Sequence, residues 1–196
     1  MRMERGWVEL DRIDSMANAG ARPASSRFAA KLWRGDSDLF LSKPLPVGAP
    51  APPFLLPDEN GDVFVLNLNR NKYVVMVFYP ADDTTVCTKQ LCELRDEWER
   101  VRAKGGFVVG VNPGDAASHG AFKKKHNYPF PLLVDNGKRV AKLYKCGGLL
   151  VTRTVYVVGK DGKILFAKRG KPAVEEILRA IPGSVIPLGN QVGHRE

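Results

Sequence analysis

The order of apolar runs and chain breakers predicts an α/β protein: a mixed central β-sheet sandwiched by helices. Three observations carry this. Tyr73–Tyr79 is a continuous β-rich apolar run, the pattern of a central strand buried on both faces; Phe107–Val111 reads as another buried strand and Thr154–Val158 as the start of a hairpin. Helical stripes separate the earlier strands, giving the order βαβαβα. The last run instead meets Gly159-Lys-Asp-Gly162 and a second strand, Lys163–Ala167, which is an antiparallel hairpin.

Residues 1–46 read as an N-terminal extension. Gly20-Ala-Arg-Pro-Ala-Ser-Ser26 lacks periodicity, and the scattered apolar residues from Phe28 to Phe40 suit a short helix. Pro44–Pro57 is proline-rich and therefore extended. Asp58-Glu-Asn-Gly61 is a turn before a short strand, Val63–Leu66. After the run ending at Tyr79 comes Pro80, then two Asp and two Thr. A helix begins near Val86, with Thr84 and Thr85 placed to cap it. Its stripe of Leu91, Leu94, Trp98 and Val101 runs on to Gly105-Gly106. A helix over Ala116–His126, a strand over Pro131–Val134 and a short helix over Lys138–Tyr144 follow. Pro172 opens a final helix with Val174, Ile177, Leu178 and Ile181 on one face. The main domain is expected over 47–182, with 183–196 as a tail.

Composition narrows the function classes. At 196 residues with 44% apolar and 26% charged, the chain suits a single globular domain. No apolar run approaches the ~18 residues of a membrane span. Glu4, Glu9, Asp11 and Asp14 argue against an acid-poor transit peptide, so the expected compartment is the cytoplasm. The net charge of +9 divides into +2 over 1–46, −4 over 47–100 and +11 over 101–196. The lysines are scattered and match no nucleic-acid motif, so the basic half reads as a solvated face and no nucleic-acid partner is expected. His119, His126 and His194 lack metal-ligand spacing with the cysteines. Three cysteines, two close and one distant, fit an intracellular redox enzyme better than a secreted disulfide framework.

Cys87 falls in the first turn of its helix. There the unpaired N–H groups and the positive end of the helix dipole favour a thiolate, the reactive form of sulfur. Cys92 lies five residues on. Along an ideal helix that step places the two Cα atoms roughly 8–9 Å apart, beyond the ~7 Å a disulfide tolerates. If the pair bonds, the first turns must unwind. The spacing suits a reactive thiol with a separate partner thiol better than a static staple.

Pro80-x-x-x-Thr84-x-x-Cys87 resembles the P-x-x-x-(T/S)-x-x-C signature of peroxiredoxins, and Cys92 five positions later is the mark of their bacterioferritin-comigratory, or Q-type, class. Val47-Gly-Ala-Pro-Ala-Pro-Pro-Phe54 is similar to the family's opening. Thr152-Arg153-Thr-Val-Tyr-Val-Val resembles the strand whose arginine reaches the catalytic sulfur. The resemblance runs from about Val47 to Ile181. It implies a thioredoxin-like fold and a peroxidase acting on hydrogen peroxide and organic hydroperoxides, with no bound cofactor. It further implies Cys87 as the peroxidatic thiol, Cys92 as the resolving thiol, Thr84 bonding thiolate and peroxide, Pro80 shielding the pocket and Arg153 stabilising charge. The implied reductant is thioredoxin and the implied assembly a monomer. Cys146 lies outside the Q-type pattern and is either a buried thiol or an alternative resolver. A thiol–disulfide oxidoreductase, the second reading, would show C-x-x-C with proline ahead of the hairpin strand; here C-x4-C and Thr152-Arg153 stand there. A peroxide sensor signalling through Cys87 is the third.

Overall fold

A computed structural model describes residues 7–8, 43–69 and 71–183. Tyr73–Phe78 (β4) is the middle of a five-stranded sheet. Gly106–Asn112 (β5) runs parallel beside it, and Leu132–Val134 (β6) runs parallel to β5 at the edge. On the other side Thr154–Val158 (β7) pairs antiparallel with β4, and Ile164–Arg169 (β8) pairs antiparallel with β7, with an irregularity at Val157/Val158. The sheet is mixed and centred on the most apolar strand, as expected. Burial on both faces is what an uninterrupted apolar run requires.

Alternation along β4 separates two cores. Val75, Val77 and Tyr79 face one of them, with Cys87, Leu91 and Leu94 of Thr85–Asp96 (α1), Val101 of Trp98–Ala103 (α2), Phe122 of Ala116–His126 (α3), and Ile177 and Leu178 of Val174–Ala180 (α5). Val74, Met76 and Phe78 face the other, with Val140 and Ala141 of Arg139–Leu143 (α4), Tyr144, Cys146 and Tyr156. A small second sheet adds to this side. Leu55–Pro57 (β2) and Val63–Val65 (β3) form a hairpin, and Trp7–Val8 (β1) pairs with the free side of β3. The extended proline stretch is tied down before Val47, where Leu45 N–H donates to the Tyr156 hydroxyl at 3.0 Å.

Two features depart from the sequence expectation. The long helix expected from Val86 to Val101 is broken at Glu97, which caps both α1 and α2. No glycine or proline marks the break. It turns Trp98 towards Phe107 and Phe130, with ring centroids 6.2 and 6.0 Å away. The Trp7–Val8 strand was not expected within the N-terminal extension. The helix expected over Phe28–Phe40 lies outside the described residues. Gly105-Gly106 does end α2: Gly105 has φ +72°, and a Cβ on Gly106 would stand 2.8 Å from the Val101 carbonyl oxygen.

Candidate active site

The loop leaving the C-terminal end of β4 carries Pro80 to Thr84 and delivers the chain into α1. Thr84 is the N-cap residue, in extended conformation, but its side chain makes no capping bond; Thr85 is the first helical residue. The first backbone bond back along the helix runs from Thr88 N–H to the Thr84 carbonyl at 2.9 Å. Cys87 is thus the third residue of α1, ahead of that bond, where helical N–H groups have no carbonyl of their own. Its side chain is fully buried. Thr84 is exposed and Pro80 half-buried at the entrance to the same loop.

Arg153 reaches this sulfur from the neighbouring strand. Phe78 pairs with Thr154, so one step further along the antiparallel ladder brings Arg153 level with the end of β4. Its Nη2 donates to Cys87 Sγ at 3.0 Å and its Nη1 donates to Gln90 Oε1 at 2.9 Å. A permanent positive charge against sulfur stabilises negative charge there, and the planar fork fixes its direction. Gln90, one turn beyond Cys87 and buried, was not singled out by the sequence. The i, i+3 spacing in Cys87-x-x-Gln90 is the signal that could have found it.

Asp82 organises the loop itself. Its Oδ1 accepts from the Tyr79 hydroxyl at 2.9 Å and from Asn112 Nδ2 at 2.8 Å. Its Oδ2 accepts from Ser118 Oγ at 2.6 Å and lies 2.8 Å from His119 Nδ1. Burial alone would raise the Asp82 carboxyl, but the bonds from His119, Ser118 and Tyr79 outweigh it and hold the carboxyl below its ordinary range. Tyr79 moves the other way: burial and then the Asp82 charge push its hydroxyl well above the usual tyrosine range, so it remains the donor. The next residue, Asp83, has φ +53° and pairs with Lys125 at 2.8 Å, with His126 3.4 Å away. His119 and His126 therefore serve this loop from α3.

Cys92 is half-buried further along α1 on its α3 side, with Sγ 3.7 Å from the Tyr128 hydroxyl. All three cysteines are free thiols. Cys146 sits in the opposite core, across the sheet from Cys87, where its thiol donates to the Tyr144 carbonyl at 3.2 Å. Burial pushes that thiol up to about 11. The structure thus brings Arg153 to Cys87 at the start of α1, with Thr84 at the N-cap, Pro80 at the head of the same loop and Cys92 on the same helix, and sets Cys146 apart.

Residues 47–167 match the AhpC/TSA family. Over 153 residues the chain is 37% identical to the putative peroxiredoxin Q, chloroplastic, of Oryza sativa subsp. indica, spanning 76% of this chain and 70% of the relative. Over 159 residues it is 38% identical to peroxiredoxin Q, chloroplastic, of Triticum aestivum, spanning 78% and 73%. The crystal structure of peroxidoxin BcpB from Mycobacterium tuberculosis superposes with TM-score 0.66 at 26% identity, over 71% of this chain and 97% of that one. A Xanthomonas campestris peroxiredoxin Q structure gives 0.61 at 21% identity over 65% and 89%, a likeness of fold. The cytoplasmic placement expected from the sequence is corrected by these relatives, which are named as chloroplastic. The four N-terminal carboxylates on which it rested describe local composition and do not identify a compartment.

Proposed function

The chain belongs to the AhpC/TSA family and is a thiol-dependent peroxidase of thioredoxin-like fold, and from that premise we propose that Cys87 is the sulfur that attacks the peroxide. The Cys87 thiolate attacks the terminal oxygen of ROOH. An S–O bond forms as the O–O bond breaks, sulfur is oxidised to sulfenic acid, and the departing RO⁻ takes a proton to leave as ROH. Arg153 stabilises the negative charge, first on sulfur and then on the departing oxygen. Thr84 bonds the substrate at the mouth of the loop, and Pro80 keeps water from it. Cys92 then attacks the sulfenic sulfur, giving a Cys87–Cys92 disulfide and water. Five residues of intact helix keep those sulfurs apart, so α1 unwinds for this step. An external dithiol, thioredoxin, reduces the disulfide and is itself oxidised.

The observation that carries this reading is the 3.0 Å contact from Arg153 Nη2 to Cys87 Sγ at the start of a helix. The buried Cys146 thiol, on the far side of the sheet, favours Cys92 as the resolver. Hydrogen peroxide and organic hydroperoxides are the substrates, residues 47–182 are the catalytic unit, and a monomer is the working form. The plant relatives support the plastid as the compartment.

Mapping the product of stoichiometric hydrogen peroxide by mass spectrometry tests the assignment. Wild type is expected to show a Cys87–Cys92 disulfide, Cys92→Ser a sulfenic acid on Cys87, and Cys146→Ser the wild-type product. Cys87 remaining a thiol under these conditions would refute its role, and a Cys87–Cys146 disulfide would change the resolver.

A further inference from the structure

Gln90 carries the one buried side-chain nitrogen or oxygen among the described residues that has no hydrogen-bond partner, its Nε2. The residue is 2% exposed. Its Oε1 accepts from Arg153 Nη1, and this contact settles the orientation of the amide: a guanidinium only donates, so the oxygen must face it. The NH2 end is the remainder. A buried donor left unmet is costly, and one kept in a native structure calls for an explanation, of which a catalytic role is one. The other nitrogen of the same guanidinium is 3.0 Å from Cys87 Sγ, so a single planar group links the orphan amide to the reactive sulfur.

During turnover an oxygen arrives at that sulfur. We propose that Gln90 Nε2 donates a hydrogen bond to this transferred oxygen, in the peroxide as it is attacked and then in the sulfenic acid. The inference rests on Cys87 being the oxidised sulfur. It divides the work at the site: Arg153 meets the charge on the departing oxygen, while Gln90 holds the oxygen that stays. Gln90 is then a catalytic residue and not merely a strut for Arg153. A glutamate would serve the strut role equally well, because its carboxylate also accepts from Arg153. It lacks the N–H and adds a negative charge beside the guanidinium, so the uncharged Gln90→Met is measured with it.

The test uses the full chain carrying Cys92→Ser, in which sulfenic acid on Cys87 has no resolving partner on α1. Mass spectrometry first verifies one added oxygen on Cys87; its failure to appear would sink the assignment of Cys87, separately from the role of Gln90. With 15N-labelled side-chain amides, the Gln90 signal is assigned by its loss in Gln90→Glu. On oxidation one Nε2 proton is expected to move downfield and exchange more slowly with water. An amide that keeps its shift and exchange rate once Cys87 is oxidised overturns the proposal. Stopped-flow rates of Cys87 oxidation, compared on their high-pH plateaus, give a second readout. Gln90→Glu and Gln90→Met are each expected to lose about a hundred- to a thousandfold, the scale of a lost donor to a reacting oxygen. A wild-type plateau in Gln90→Glu overturns the proposal.

Discussion

Arg153 touches Cys87 with one nitrogen and Gln90 with another, so its value lies in a fork as well as a charge. Lysine keeps the charge but replaces the fork with a single ammonium on a flexible stem, and one of the two contacts is lost. Arg153→Lys is expected to slow oxidation of Cys87 by about tenfold or more, and Arg153→Met by about a further tenfold, in stopped-flow with hydrogen peroxide. Neither change removes a large apolar side chain from the core, so the thermal midpoint should move far less than the rate. A collapse of the fold in Arg153→Lys would mean that the arginine is there for stability.

Gly110 shows how a neighbouring strand supports the loop that leads to Cys87. A Cβ at this position of β5 would meet Leu132 Cδ2 at 2.7 Å and Tyr79 Cε1 at 3.1 Å. The glycine lets the Tyr79 ring lie against the sheet, and the Tyr79 hydroxyl holds Asp82. Gly110→Ala is therefore expected to destabilise the protein by about 1–3 kcal/mol in urea unfolding and to slow peroxide oxidation as well. The same region marks the limit of what the sequence discloses. The buried strands were legible because a continuous apolar run has one common meaning in an α/β chain, and the approach of Arg153 to Cys87 was expected from the patterns around them. The loop's anchor was not. Its four donors come from residues 79, 112, 118 and 119, which converge on Asp82 only after β5 and α3 have packed, and no local pattern announces them. Gln90 shares a helix face with Cys87 by its i, i+3 spacing, but reads as an ordinary polar residue until its burial is known. The break at Glu97 had no breaker residue to signal it, because tertiary packing of Trp98 overrides a continuous helical stripe.

For the whole molecule, two buried groups set opposite edges of a pH window. Asp82 has a lowered carboxyl, so its contribution is present above the unfolded-state value of about 4 and is lost as pH falls through the folded value. Asp82→Asn is expected to be less stable than wild type at pH 7, with the difference shrinking as both are acidified below pH 4. Cys146 has the opposite sign. Its thiol rises from 9.0 to about 11 on folding, so its contribution is full below pH 9 and is lost between there and pH 11. The gap corresponds to about 2–3 kcal/mol. Chemical denaturation of wild type should lose this amount across that range relative to Cys146→Ala; parallel curves would show that the thiol does not titrate with folding. The separation of Cys146 from the core that holds Cys87 has one more consequence. Opening of α1 frees Cys87 and Cys92 without disturbing the core across the sheet, whereas Cys146 is uncovered only when that core comes apart. A slow thiol-alkylating reagent would then read two clocks in one chain: modification at Cys87 counts excursions of a single helix, and modification at Cys146 counts disassembly of the entire domain.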